Sequence, residues 1–316
     1  MSSSGMRPGT SGSTPTVRDR SWSLPHLGAG ILYNPSLSGF LRDHIDAYDY
    51  LEIIPDMFWT DGGRGAEPRY VELGTWVDEL EALAGRVQLV SHSTGFSLGS
   101  ADRFDIQPVE HLAEWHRRYG FMWHSDHLSF VRVGDGDGHD ENAALALPFP
   151  YDEEMLDLVV GRVDLVQRKV PLPFLIENNV AFIQAPEQEM SEPQFLNHLH
   201  ERTGCGLLLD LHNLYANARN HGFDALDFLD DLNLRAVVEI HIAGGSELGG
   251  MWTDSHAGPV AEPLWDLLEA TVPRTPALCG ITFEFHDSYF SALGDAGVAE
   301  QLARARSAWD RLHPSP

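Results

Sequence analysis

Histidines and carboxylates recur at the ends of apolar, strand-like runs along most of this chain, and together they could hold metal ions. The segments are LVSHS around His92, WHSDHLSF around His127, FLIENN around Glu177 and LLLDLHN around Asp210. They continue with VVEIHIAGG around His241, TDSHAGP around Asp254 and His256, and ITFEFH around Glu284. A carboxylate or imidazole beside a buried strand is destabilising unless something pairs with it, so its repetition implies a shared polar centre. Nitrogen and oxygen donors without cysteine suit iron, manganese or catalytic zinc rather than a structural thiolate zinc site. The set is too large for one ion and suits two or three. Three divalent ions against the carboxylates of Glu177, Asp210, Asp254 and Glu284 leave a formal charge of about +2, which would attract an anionic substrate group.

Neighbouring polar residues divide by geometry. Asp254 and His256 form an Asp-x-His pair, which on extended backbone points both side chains the same way. Asp126 is expected to orient the site or meet substrate rather than bind metal. Glu52, in YLEIIP, either contacts substrate or caps a loop. His124 lies on the same strand as His127 but faces elsewhere, as a structural residue.

Strand-like segments, on which most of the donors lie, recur at 27–32, 48–54, 87–92, 121–127, 172–177, 206–210, 236–242 and 279–285. Amphipathic helical patterns separate most of them. Residues 70–86 place Val71, Leu73, Trp76, Val77, Leu80 and Leu83 on one face, and 153–170 repeat the pattern before a proline. Residues 191–204 open with Ser191 and Gln194 in capping-box spacing and close at Gly204. Strands alternating with helices predict an α/β fold, a single (β/α)8 barrel over residues 25–316. In such a barrel the strand ends converge on one mouth. The Ser-, Gly-, Pro- and Thr-rich residues 1–24 read as a disordered tail. Residues 131–150 read as an acidic surface loop with His139 exposed to solvent.

Composition narrows the partners. The formal net charge of −26 opposes attraction to nucleic acid and to anionic membranes. No apolar run approaches the roughly 20 residues that span a bilayer, and the N-terminal residues lack the apolar stretch of a secretory signal. Cys205 and Cys279 sit in apolar stretches as core residues, which fits a reducing, cytoplasmic setting.

The motifs SHSTGFSLGS, SDHLSF, IENN, TGCGLLLDLHNLYANARNHGF, EIHIAGG and DSHAGPV resemble the DUF692 proteins, the multinuclear non-heme iron-dependent oxidative enzymes that include the methanobactin biosynthesis oxidase. The resemblance runs from about Gly28 to Glu284. It implies a TIM barrel related to xylose isomerase and endonuclease IV, which uses iron, as two or three Fe2+/Fe3+ ions, and dioxygen. The implied substrate is a Cys, Asp or Asn residue of a ribosomally made precursor peptide, delivered with the help of a separate leader-binding partner protein. Carried over residue by residue, His92, His127 and Glu177 would hold a first ion, with Glu177 bridging to a second held by Asp210, His241 and Glu284. Asn213, Asp254 and His256 would hold a third, with His212 the rival to Asn213. The chain departs from the family pattern at ILYNPS, at Gly244-Gly245, where a second histidine often stands, and at Phe285-His286-Asp287. Those positions line the mouth in the family, so His286 is either structural or a substrate contact. Two other functions fit the same ligands: a zinc-dependent phosphodiesterase of the endonuclease IV type, and a sugar isomerase-like barrel with magnesium or manganese.

Overall fold

The computed structural model describes residues 23–101, 104–134, 140–142 and 147–312. The tail expected over 1–24 lies almost wholly outside them, as does His139. Eight parallel strands close into a barrel in chain order: β1 (Gly28–Leu32), β2 (Tyr50–Ile53), β3 (Gln88–Ser93), β4 (His124–His127), β5 (Phe174–Glu177), β6 (Gly206–Asp210), β7 (Val237–Ala243) and β8 (Gly280–Glu284). β8 pairs with β1 in register Gly28↔Gly280 to Ile31↔Phe283, which closes the ring. The expected (β/α)8 barrel is the fold.

Helices pack outside this ring: α1 (Ser38–Asp43), α2 (Gly74–Ala84), α3 (Gln107–Tyr119), α4 (Glu153–Lys169), α5 (Glu192–Thr203), α6 (Leu211–His221), α7 (Ala225–Asp231), α8 (Glu262–Thr271) and α9 (Phe290–Leu312), the last broken at Gly294. Their ends follow local chemistry. Asp152 caps α4 by accepting from the Met155 amide, and Ser191 with Gln194 forms the complete capping box of α5. Gly204 closes α5 at φ 68°, a left-handed conformation that glycine adopts without steric cost.

Two readings of the sequence are corrected. Residues 70–72 are not the first turn of a helix: Tyr70–Glu72 is a strand antiparallel to Trp59–Asp61, and the helix begins at Gly74. Cross-strand aromatic packing outweighs the helical periodicity there. Tyr70 stacks on His111 with ring centroids 4.3 Å apart and meets the edge of Trp59, while Val71 is left exposed. Residues 131–150 are not simply loop, because Arg132–Gly134 pairs antiparallel with Asp140–Asn142.

Alternation along each strand creates two cores. One set of side chains packs against the helices; the other fills the barrel. Tyr50, Val90, Trp123, Leu175, Leu208, Val238 and Cys279 form the apolar layer at the bottom of the barrel. Two residues further along five of these strands stand Glu52, His92, Ser125, Glu177 and Asp210. A period of two therefore turns an apolar floor into a polar storey above it. The Tyr50 ring occupies space left by two glycines: a Cβ on Gly30 would lie 2.4 Å from its Cζ, and one on Gly280 would lie 2.5 Å from its hydroxyl.

Gly30→Ala should therefore destabilise the fold by about 1–3 kcal/mol through overpacking, whereas Gly39→Ala in α1, where a Cβ would meet nothing within 4 Å, should stay within about 1 kcal/mol of the parent. Urea denaturation of both variants checks this; equal midpoints would contradict the role given to Gly30.

Candidate metal centre

The strand ends bring their donors into one buried cluster. The Nε2 atoms of His92 and His127 lie 3.4 and 3.1 Å from Oε2 of Glu177. Nδ1 of His241 lies 3.3 Å from Glu284 and 4.0 Å from Glu177. His256 Nε2 lies 2.7 Å from Asp254 and 3.7 Å from Glu284. Four groups offer donor atoms all within 4.8 Å of one another: His92, His127 and Glu177; Glu52, His241 and Glu284; Glu177, Asp210 and His241; and Asp210, His256 and Glu284. Glu177, Asp210, His241 and Glu284 each belong to two groups, so the arrangement can hold more than one ion with shared carboxylates.

Several of these atoms are buried without a hydrogen bond. Glu177 Oε2, Asn213 Oδ1, both ring nitrogens of His241 and both Glu52 oxygens make no hydrogen bond among the described residues. Buried polar atoms are normally satisfied. Donors that approach closely without hydrogen-bond alignment fit a set aimed at a common point between them, and nitrogen and oxygen donors of this kind fit a divalent metal.

The next layer of residues holds the donors in place. His92 Nδ1 is 2.9 Å from Ser125 Oγ, which leaves Nε2 facing Glu177. Nε2 of His241 lies 2.9 Å from Glu52, which leaves Nδ1 facing the cluster. A carboxylate behind a ligating imidazole fixes its orientation and raises its basicity. Asn178 exchanges two bonds with the Asp210 backbone, donating from Nδ2 to its carbonyl at 2.9 Å and accepting its amide at 2.8 Å. Asp210 caps α6 by accepting the Asn213 amide at 2.8 Å, so the positive end of the helix dipole faces that carboxylate. Asn213 Nδ2 donates to the Asn178 carbonyl at 3.2 Å and reaches Glu177 at 3.4 Å.

His212 stands at the edge of this cluster, its Nε2 3.8 Å from the Asp254 carboxylate. Its ring nitrogens lie 3.1 Å from the Ala243 carbonyl and 3.3 Å from the Thr253 carbonyl. It thus ties β7 to the two-stranded ribbon Ser246–Leu248 and Met251–Thr253, just before Asp254. Asn220 holds the same ribbon through paired 2.8 Å bonds with the Trp252 backbone. The two glycines after β7 are a consequence of this packing. A Cβ on Gly244 would lie 2.4 Å from the Ala257 carbonyl, and one on Gly245 would lie 2.4 Å from both His212 and Trp252. A second histidine has no room there. His256 itself adopts φ 46°, a strained conformation for a side chain other than glycine.

The cluster opens into a cavity of about 290 Å³ at the C-terminal ends of the strands. Its walls include Leu32, Ile54, Met57, Trp76 and Phe285, with His286 at the rim. The His286 side chain is 63% exposed, and its Nδ1 lies 2.8 Å from Ser288 Oγ. Glu52 and Asp126, expected at the substrate, do not line the cavity. Glu52 lies beneath it, behind His241. Asp126 follows the inward-facing Ser125 and so points toward the helices, where burial, and then the charge of Asp56, raises its carboxyl well above the usual range. His124, on the same outer face, contacts Ser91 Oγ at 2.9 Å and stacks on Phe174. Glu239, quoted within VVEIHIAGG but given no role, is fully buried below His241 and accepts from Tyr50, Trp123 and Thr282. Its position two residues before His241, on the same inward face, was the available signal.

Charge balance separates two kinds of imidazole. Burial, and then the neighbouring His127 and His241, holds His92 well below the ordinary histidine range. Burial likewise lowers His127 to about 4. Both are neutral near pH 7, with lone pairs available. His241 and His256 go the other way. Burial opposes their charge, but Glu284 and Glu52 raise His241 well above the ordinary value, and Asp254 raises His256 to about 10.

The chain matches the family model described as RiPP precursor modification enzyme MbnB/TglH/ChrH over residues 28–307. It belongs to that family. It is therefore an enzyme that acts on a RiPP precursor peptide. A UPF0276 protein of Caulobacter vibrioides is 33% identical over 288 residues, which cover 91% of this chain and 96% of that one. One from Rhizorhabdus wittichii is 36% identical over 244 residues, covering 77% and 82%. Solved structures share the fold at low identity. A D-psicose 3-epimerase from Clostridium cellulolyticum H10 gives a TM-score of 0.54 at 11% identity, covering 90% of this chain and 98% of the other. A xylose isomerase-like TIM barrel protein from Mycobacterium smegmatis gives 0.53 at 13%, covering 91% and 98%. Among the described residues of this family member, no helix is long and apolar enough to cross a membrane.

Metal loading of this enzyme should tighten as pH rises. His241 and His256 carry protons in the metal-free protein and must lose them to ligate, so metal binding releases protons and weakens as pH falls. Chelator competition across pH 6 to 9, roughly the window below the His256 value of about 10, checks this; a flat profile would contradict it. Glu177→Gln, which alters a donor common to two groups, should lower the metal content by more than one ion per chain relative to the parent.

Proposed function

We propose that this protein is a multinuclear non-heme iron oxidase that uses dioxygen to modify a Cys, Asp or Asn residue of its precursor peptide. The observation that carries this reading is the buried, cysteine-free donor cluster with shared carboxylates, in a chain whose family acts on precursor peptides. In this reading His92, His127 and Glu177 hold one ion, Asp210, His241 and Glu284 a second, and Asn213, Asp254 and His256 a third. Iron, when bound, supplies the electrons that reduce dioxygen.

The remaining work falls to the chain. Ser125 and Glu52 fix the ring orientations of His92 and His241. Asn178 fixes the backbone of Asp210. The apolar walls Leu32, Ile54, Met57, Trp76 and Phe285 exclude water around the residue being modified, which strengthens every charge interaction inside. Excess positive charge at the loaded centre favours the ionised form of a substrate thiol or carboxyl. His286, at the rim, is placed to meet peptide as it enters. A separate leader-binding partner, if encoded beside this gene, would deliver the precursor. Among the described residues no Lys or Arg lines the mouth, which weighs against a phosphodiesterase, whose substrate such cations would clamp.

The protein reconstituted anaerobically with Fe(II) should retain more than one iron per chain and consume dioxygen only when the neighbouring precursor peptide is added, with a matching mass change in that peptide. Glu284→Gln should reduce that turnover by about a hundredfold or more. Zinc retention with phosphodiester cleavage, or a peptide unchanged under oxygen, would overturn the proposal.

A further inference from the structure

A second cavity, of about 370 Å³, lies on the same end of the barrel as the metal centre. The two share a wall: His127 lines one and the next residue, Leu128, lines the other, a single Cα step of about 3.8 Å. Asn179 and Val180, just beyond Glu177, and Asn217, one helical turn beyond Asn213, also line the second cavity. A chain whose reacting residue sits among the metal ligands therefore has this groove beside it.

The groove has an apolar floor and an acidic rim. Phe149, Val180 and Phe228 are buried in it. Ile183 and Phe223 stand at its edge, 64% and 38% exposed, among the few large apolar side chains that this protein leaves in water. Its acidic lining residues are Asp224, Asp227 and Asp231 at the rim and Glu192 further in, whose carboxyl burial raises to about 7; among the described residues no Lys or Arg lines it. Such a surface prefers a ligand that offers apolar side chains and positive charge together. A second copy of this chain is disfavoured, because each copy carries −26. An anionic lipid surface is disfavoured on the same ground.

We propose that the groove binds a segment of the precursor peptide in which apolar side chains are interspersed with Lys or Arg, while another residue of the same peptide occupies the metal centre. This rests on the precursor peptide as substrate, but not on iron or on oxidation. The groove supplies affinity away from the reacting residue, equally in the ground state and the transition state, and so lowers KM.

The test uses the full-length protein and two fluorescein-labelled synthetic peptides read by fluorescence anisotropy. In one, Leu and Phe alternate with Lys; in the other, every Lys is replaced by Glu. The basic peptide should bind, and the acidic one should bind at least about tenfold more weakly. The double variant Asp227→Lys/Asp231→Lys, at two exposed positions, and the variant Ile183→Ser should each weaken the basic peptide by about tenfold, with circular dichroism and metal content unchanged. Glu177→Gln, which disturbs the metal centre, should leave peptide binding intact, so that failure of the oxidation reading and failure of the groove are told apart. With the true precursor, the groove variants should raise KM and leave kcat in place. Equal binding of both peptides, or binding indifferent to the groove variants, would overturn the proposal.

Discussion

The structure depends on keeping carboxylates and imidazoles inside a barrel from which water is excluded. Each would be destabilising in isolation, since a charge in a low-dielectric interior is costly without a partner. Here the charges are placed to compensate one another: His241 lies between Glu52 and Glu284, and His256 lies against Asp254. Burial opposes the ionised form of Asp254, yet the adjacent His256 holds it well below the usual carboxylate range. Asp210 lacks such a partner at hydrogen-bond distance, and burial, and then the Glu284 charge, raises it to about 7. The cluster is thus partly balanced by its own protons and partly dependent on added cations.

The barrel architecture makes that concentration of charge affordable by supporting it from below. Tyr50, Trp123 and Thr282 all donate to Glu239, whose carboxyl burial, and then the Glu52 charge, raises to about 8. Below them the interior is apolar. Rigidity at the floor transmits upward, because the ligands follow along paired strands, in register from Leu208 and Glu239 onward, past an irregularity between Leu207 and Leu208. The contrast is with Asp254 and His256. They stand on a connection after β7, fixed by His212, Asn220 and a backbone bond from His286 to His256, rather than by the barrel ladder.

Much of this was legible in the sequence because strand periodicity and donor chemistry coincide. Apolar runs ending in histidine or carboxylate marked β3 to β8, apolar patterning alone marked β1 and β2, and alternation explains why His124 and His127 face opposite ways. What stayed hidden has physical causes. Ser125 and Asn178 act through ordinary hydrogen bonds to residues far along the chain, and nothing in their local spacing marks them. Glu52 and Asp126 were both visible as buried acids, but which face each presents depends on the register of neighbouring strands. At Tyr70–Glu72, helical periodicity gave way to aromatic contacts with Trp59 and His111, which no local pattern encodes. The role of Gly244 and Gly245 emerged only with the ribbon folded against them.

The Tyr50 plug has a kinetic consequence. With Gly30 and Gly280 giving up their side-chain volume to its ring, and with Trp123 packed against it, the barrel is sealed at its base. Among the described residues the cavity over the donors opens at the opposite end, where reactants and products would share one mouth. If the proposed reaction with a small co-substrate holds, a peptide seated there would block its route, so steady-state kinetics should be ordered, with the small molecule entering before the peptide.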